Sequence, residues 1–207
     1  MSLSGIVPLG VFVLSHVLAM GQALLGPRAF GSALAELTPV RLGLEAVLIG
    51  VPLAFHAGLG LALATRSRSN IASYPYPANH AWALQRVSGL LVLVFLLVHV
   101  WHTRVALLLG RTTASITLEA LAARLSATGL FGLPYLALFY LLGVSATVFH
   151  LAHGIVGFCA SFGLVDSLER LRAVTRYVWL GAACVFLLGV ATVIHIATGS
   201  ALPWGAP

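Results

Sequence analysis

The chain has 207 residues, of which 60% are hydrophobic and only 8% charged, with mean hydropathy +1.03. That composition excludes an ordinary soluble domain and points to an integral membrane protein. The formal net charge of +6 comes from scattered arginines, since all 11 basic residues are Arg, with no basic run or aromatic-basic stripe for nucleic acid.

Five apolar spans follow in chain order, at 5–25, 41–65, 84–109, 130–164 and 173–198. Each reaches the roughly 20 residues that cross a bilayer core as helix. No basic residue precedes the first span, so it is not read as a cleaved signal peptide. The first span contains His16, and the second contains Arg41, Glu45 and His56. A polar loop follows, with Arg66-Ser67-Arg68-Ser69-Asn70 and then Tyr74-Pro75-Tyr76-Pro77. Proline disfavours helix at the residue before it, so the Tyr-Pro repeat is expected to be extended. The third span carries Arg86, Ser88 and His99, and the connection 110–129 has room for a short amphipathic helix. The fourth span holds His150; it exceeds the crossing length and is expected to tilt or project. No segment alternates apolar and polar with period two, which excludes a membrane β-barrel. The fold class is an all-α membrane protein, a single five-transmembrane-helix bundle over residues 1–207.

Arginines divide six to five between the two faces. Arg66, Arg68, Arg86, Arg170, Arg172 and Arg176 lie on one; Arg28, Arg41, Arg104, Arg111 and Arg124 lie on the other. The balance tips toward a cytoplasmic N-terminus.

A histidine inside a membrane span is costly and faces a partner, a cavity or a cofactor. Here four successive spans each hold one. Alternate spans run in the same direction, so His16 and His99 share one depth and His56 and His150 another. At 1.5 Å per residue the two levels are expected to differ by on the order of 10 Å. With the N-terminus inside, His16 and His99 form the outer pair, and His56 and His150 the inner pair. Local sequence echoes the pairing. His16 and His99 both close a VFxLxHV string, each preceded by a Ser-Gly pair, Ser4-Gly5 and Ser88-Gly89. His56 and His150 are each followed four residues later by glycine, Gly60 and Gly154, which would leave room for a flat ring against the helix.

Two histidines at each of two depths are the ligand arrangement for two stacked haems. No CxxCH motif exists and the cysteines, Cys159 and Cys184, are far apart, so any haem is b-type. Two other readings stay open on the residues alone. Each histidine could make an interhelical hydrogen bond, or the set could line a haem-free transport path. A metal path of that kind normally recruits carboxylates or thiolates, and Glu45 is the lone acid within a span.

Leu84-Gln85-Arg86-Val87-Ser88-Gly89 leading to His99-Val100-Trp101 and Thr103-Arg104, Phe149-His150 leading to Gly154, and Arg41-Leu42-Gly43-Leu44-Glu45 leading to Pro52 and Phe55-His56-Ala57 resemble the cytochrome b membrane anchor of type B succinate:quinone oxidoreductases. The resemblance runs through nearly the whole chain. It implies two haems b, one held by His16 and His99 and the other by His56 and His150. It implies a flavoprotein and an iron-sulfur partner on the cytoplasmic side of a prokaryotic inner membrane, with electrons passing from succinate to a quinone, expected to be menaquinone. No succinate-oxidising site is expected in this chain. The same anchor serves fumarate reductases working in the opposite direction. Some diheme fumarate reductases carry a glutamate two residues before the fourth-helix ligand; that position is Val148 here.

His102 and His153, one turn beyond His99 and His150, are the alternative ligands. Arg86 and Ser88 are expected at the propionates of the inner haem and Arg104 at those of the outer one, because guanidinium pairs well with carboxylate. Trp82 is read as an interfacial belt residue. Glu45 is the candidate proton relay to quinone, with Arg41 one turn away as its structural partner. His80 and His195 are read as non-ligands.

Overall fold

A computed structural model describes residues 2–34, 39–109 and 117–199. Five helices are long and apolar enough to cross a membrane: α1 Gly5–Leu25, α2 Leu42–Arg66, α3 Pro77–Val105, α4 Tyr135–Ser161 and α5 Leu168–Thr198. A helical turn, Ser2–Ser4, leads into α1. Short helices Pro27–Ala33 and Leu118–Ser126 lie in the connections, the latter capped by the Thr117 hydroxyl, as expected for the 110–129 connection. Residues 110–116, Arg111 among them, lie outside the described residues.

Cap chemistry explains where the helices depart from the expected spans. Pro77 opens α3 two turns early, behind an extended Tyr76 (φ −81°, ψ 150°), because proline suits a first helical position. Pro134 and the turn Leu130–Gly132, with Phe131 at φ 63°, hold back the start of α4. Ser167 accepts the Arg170 amide at 3.2 Å and starts α5 at Leu168 rather than 173. The longest span is therefore α5, with 31 residues, not α4 with 27. Glu169, Arg170 and Arg172 consequently sit on its first turns.

α4 is the hub: it packs along both α3 and α5, and α5 also lies against α1. Close approach between α3 and α4 comes from Gly143, where a Cβ would collide with the Phe95 ring. Small residues at such crossings are how apolar helices gain contact without a hydrophobic driving force. α2 is peripheral, touching the start of α1 and α3, with no buried residue over Val51–Arg66. Many large apolar side chains point outward, including Leu18, Leu48, Phe55, Leu97, Leu142 and Leu187, as a lipid-facing surface requires.

The tightest apolar cluster lies at the end where α1 and α5 finish. It joins Ala23, Phe30, Leu125, Ala137, Val193 and Ile196. Phe30 is 1% exposed and ties the two short connecting helices to α4 and α5. Phe30→Ala should cost about 3–5 kcal/mol and lower the thermal midpoint of the detergent-solubilised protein on the order of 10 °C. An unchanged midpoint in a circular-dichroism melt would show that this cluster is not a stability centre.

Candidate functional site

The helix directions bring the four histidines together as two pairs. His16 on α1 and His99 on α3 have ring centroids 5.8 Å apart at 79°. His56 on α2 and His150 on α4 have centroids 6.2 Å apart at 87°. Ten to twelve residues separate the two levels along α1, α3 and α4, since Ser88-Gly89 lies beside His150, Tyr140 beside His99, and Ser4-Gly5 beside His56. That register gives roughly 15 Å along the helix axis, of the same order as the expected 10 Å.

The outer pair is framed by aromatics. Phe12 stacks beside His16 at 5.4 Å and Phe95 beside His99 at 5.5 Å. The Tyr140 hydroxyl lies 3.1 Å from His99 Nδ1. Nearby, Arg104 Nε donates to Glu45 Oε2 at 2.9 Å and Nη2 to Oε1 at 3.4 Å, a two-pronged pair joining α3 to α2. Both members are partly buried, at 32% and 22% exposure. Arg104 acts electrostatically on both His16 and His99, and Glu45 on His16. Both charged residues lie at wide helical turns, Glu45 just before Ala46–Gly50 and Arg104 within Trp101–Val105; such turns recur at functional sites. The expected Arg41 pair with Glu45 involves a side chain outside the described set; the partner observed is Arg104. Arg104, expected as a propionate donor, already has this carboxylate.

The inner pair is held by hydroxyl and amide groups. His150 Nδ1 lies 3.1 Å from the Gln85 carbonyl oxygen and 3.2 Å from Ser88 Oγ. Gln85 Nε2 in turn donates to the His150 carbonyl at 3.1 Å. Ser88 Oγ donates to the Gln85 carbonyl at 3.1 Å, so its hydroxyl is turned to Gln85 and His150 rather than offered to a propionate. Ser4 Oγ lies 3.4 Å from His56 Nδ1. Arg86 sits 3.4 Å over the Trp82 ring and donates to Ser67 Oγ at 2.9 Å and the Trp82 carbonyl at 3.4 Å. Among the described residues it has no carboxylate partner. Trp82 thus orients Arg86 in addition to any interfacial role.

The remaining histidines stay apart from the pairs. His102 is exposed and its Nδ1 donates to the Val98 carbonyl at 2.9 Å. His153 stacks on Phe149 at 6.1 Å. His80 is exposed at the start of α3, and His195 on α5 has a buried Nδ1 without a partner among the described residues. Val148 is buried. A Cβ at Gly154 would meet Gln85 Nε2 at an ordinary 3.6 Å. The tight approaches of a glycine to an imidazole, among the described residues, are at Gly5 and Gly89.

The residues fit two axially ligated haems. A metal–imidazole bond of about 2 Å puts the centroids of two rings on one iron roughly 6 Å apart. Edge-to-face aromatic pairs fall in the same range, so spacing alone is not the argument. The Gln85 carbonyl can only accept, so Nδ1 of His150 carries the proton and Nε2 keeps the lone pair a metal needs. Gln85 Oε1 is moreover buried with no hydrogen-bond partner among the described residues. No group of three or more His, Cys, Asp or Glu gathers among them either. Sequence reasoning gave Tyr140 no role; a phenol inside an apolar span was the available signal.

No protein-family model matches the chain, and no solved structure matches it. The succinate dehydrogenase cytochrome b558 subunit of Bacillus subtilis (strain 168) is 34% identical over 181 residues, covering 86% of this chain and 85% of that protein. Identity at that level along nearly the full length, in a chain with five apolar spanning helices, places it: the chain belongs to the family of the succinate dehydrogenase cytochrome b558 subunit, a membrane anchor.

Proposed function

We propose that this chain is the diheme, quinone-reactive anchor of a succinate:quinone oxidoreductase, carrying electrons from an iron-sulfur subunit through two haems b to a membrane quinone, menaquinone being the expected one. The observation that carries the proposal is the pair of histidine pairs, on four different helices and at two levels. His16 and His99 would hold the outer haem, and His56 and His150 the inner one. Each haem supplies an iron that changes valence by one electron. The protein supplies neutral imidazoles on both faces, which favours low-spin iron and little movement on electron transfer. Arg86, stacked on Trp82 at the inner level, would be a partner for the inner haem's propionates.

The N-terminal end of the bundle, with the α2–α3 and α4–α5 connections, is the proposed cytoplasmic face. The loop 66–80 and the segment 166–176 would meet the iron-sulfur subunit there, with the flavoprotein beyond it. Asp166 and Arg170 pair at 2.7 Å on that end, giving a polar surface suited to a soluble partner. The outer haem then lies further along the electron path, and the quinone site belongs beside it, between α1 and α2 and next to α3. Glu45 is the proton relay in this reading. A carboxylate can pass the two protons that quinone reduction consumes, and its bond to Arg104 holds it oriented. With proton uptake on the outer side, each outward-moving electron would run down the membrane potential, so that succinate oxidation by a low-potential quinone would draw on it, at about 2.3 kcal/mol per charge per 100 mV.

A pyridine haemochrome assay should return two haems per chain, all extractable by acid-acetone. His16→Ala or His99→Ala should remove one spectral component, and His56→Ala or His150→Ala the other; one haem or none in the unaltered protein would refute the assignment. Glu45→Gln keeps a hydrogen-bond acceptor for Arg104 but cannot relay a proton. It should lower quinone-linked turnover at least about tenfold while both haem spectra and succinate-to-dye activity persist; unaltered quinone turnover removes Glu45 from the mechanism. Cross-linkers placed in the loop 66–80 should reach the iron-sulfur subunit. Cross-links confined to 110–129 would invert the proposed topology.

A further inference from the structure

Two Ser-Gly pairs stand in the same relation to two histidines. Ser4 Oγ is 3.4 Å from His56 Nδ1, and a Cβ on Gly5 would lie 2.5 Å from Cε1 of that ring. Ser88 Oγ is 3.2 Å from His150 Nδ1, and a Cβ on Gly89 would lie 2.8 Å from Cε1 of that ring. In both cases the pair reaches from one helix to the next in the chain, from the α1 start to α2 and from α3 to α4. Real Cβ atoms essentially never come so near another heavy atom. Alanine at either glycine must therefore displace the imidazole.

We infer that Ser4-Gly5 and Ser88-Gly89 are two copies of one positioning device, a hydroxyl on Nδ1 and a bare Cα against the ring, that sets the tautomer, orientation and donor strength of the two inner ligands. The inference rests on the haem reading of His56 and His150. At His150 the polarity of the bonds is settled by chemistry. The Ser88 hydroxyl gives its proton to the Gln85 carbonyl, so its oxygen is left to accept from Nδ1–H. The Gln85 carbonyl accepts from the same Nδ1. An imidazole that donates from Nδ1 is a more basic ligand through Nε2, and a more basic ligand stabilises ferric iron over ferrous. The outer pair is built otherwise. His99 meets the Tyr140 phenol, and neither His16 nor His99 has a serine partner among the described residues.

A back-bonded serine on a helix is also an ordinary local motif, and a purely structural serine would leave the haems unmoved. The discriminating measurement is the midpoint potential and electron paramagnetic resonance g-values of each haem in the full complex, for Ser88→Ala, Ser4→Ala and Ser4→Thr. The inner signal is the one abolished by His56→Ala. Ser88→Ala should shift the inner ferric/ferrous equilibrium toward ferrous by up to about tenfold, which is about 59 mV for one electron. Ser4→Ala should do so less, because its contact is longer, and Ser4→Thr should restore the native value. Gly89→Ala should weaken inner-haem retention about 10–100-fold, with haem content falling toward one per chain. The outer haem should keep its potential throughout. Native inner signals in both serine-to-alanine variants, or equal shifts of both haems, would overturn the device while leaving the haem assignment intact. Fewer than two haems in the unaltered complex would overturn both.

Discussion

An imidazole inside an apolar bundle brings one donor and one acceptor to a medium that offers neither, and the arrangement of α1 to α4 follows from that constraint. Three of the four paired rings have an Nδ1 contact from another helix: Ser4 for His56, Tyr140 for His99, Ser88 and the Gln85 carbonyl for His150. These bonds fix the register of α1 on α2 and of α3 on α4. The Gln85 amide adds a second bond across the same interface, to the His150 carbonyl. Nε2 of His150, and of His56 and His99 where Nδ1 carries the proton, is then left for a metal. Ligand geometry and helix packing are thus the same set of contacts.

α5 carries none of the paired histidines, yet it is among the best-packed helices. It lies along α4, and its final turns join the cluster around Phe30. The result is a division along the bundle. Large apolar contacts consolidate the end where α1 and α5 finish, while the opposite end is held by hydroxyls, glycines and the Arg86–Trp82 stack. A helix such as α2, peripheral and without buried residues over its α-helical part, gains its place mainly through His56 and Glu45, the side chains with partners on other helices. A ligand bridging His56 to His150 would bind α2 to the hub helix α4, so folding and cofactor binding are coupled in the sense familiar from metal sites.

How much was legible in the sequence depends on the range of the interaction. Span number and direction follow from hydropathy alone, and direction alone pairs His16 with His99 and His56 with His150. Span ends did not follow, because they rest on single caps: Ser167 before α5, Pro134 before α4, Pro77 opening α3. Partners on other helices were least legible. Spacing offers Arg41, whose side chain lies outside the described set, to Glu45 at one helical turn; it does not offer Arg104, a partner 59 residues away. The same holds for Gln85 and Tyr140, whose meaning lies in the register between α3 and α4. The Ser-Gly echo was visible as a repeat, though only coordinates reveal that each copy faces the ligand of the next helix.

The two levels differ in their chemistry, and the difference suits a division of labour. Around the inner pair the contacts are neutral: serine hydroxyls, a backbone carbonyl, a glycine Cα. On the proposed reading, an electron would arrive and leave there with little reorganisation. Beside the outer pair stands a carboxylate–guanidinium pair, partly open at 22% and 32% exposure, within electrostatic reach of His16. In a low-dielectric setting such a pair is strong because each charge neutralises the other, and disturbing one member changes the field at its neighbours. A carboxylate so placed is oriented and partly exposed. On the proposed reading, electron relay among neutral contacts and proton exchange beside a charged pair would be the order of parts that a quinone-reducing anchor needs.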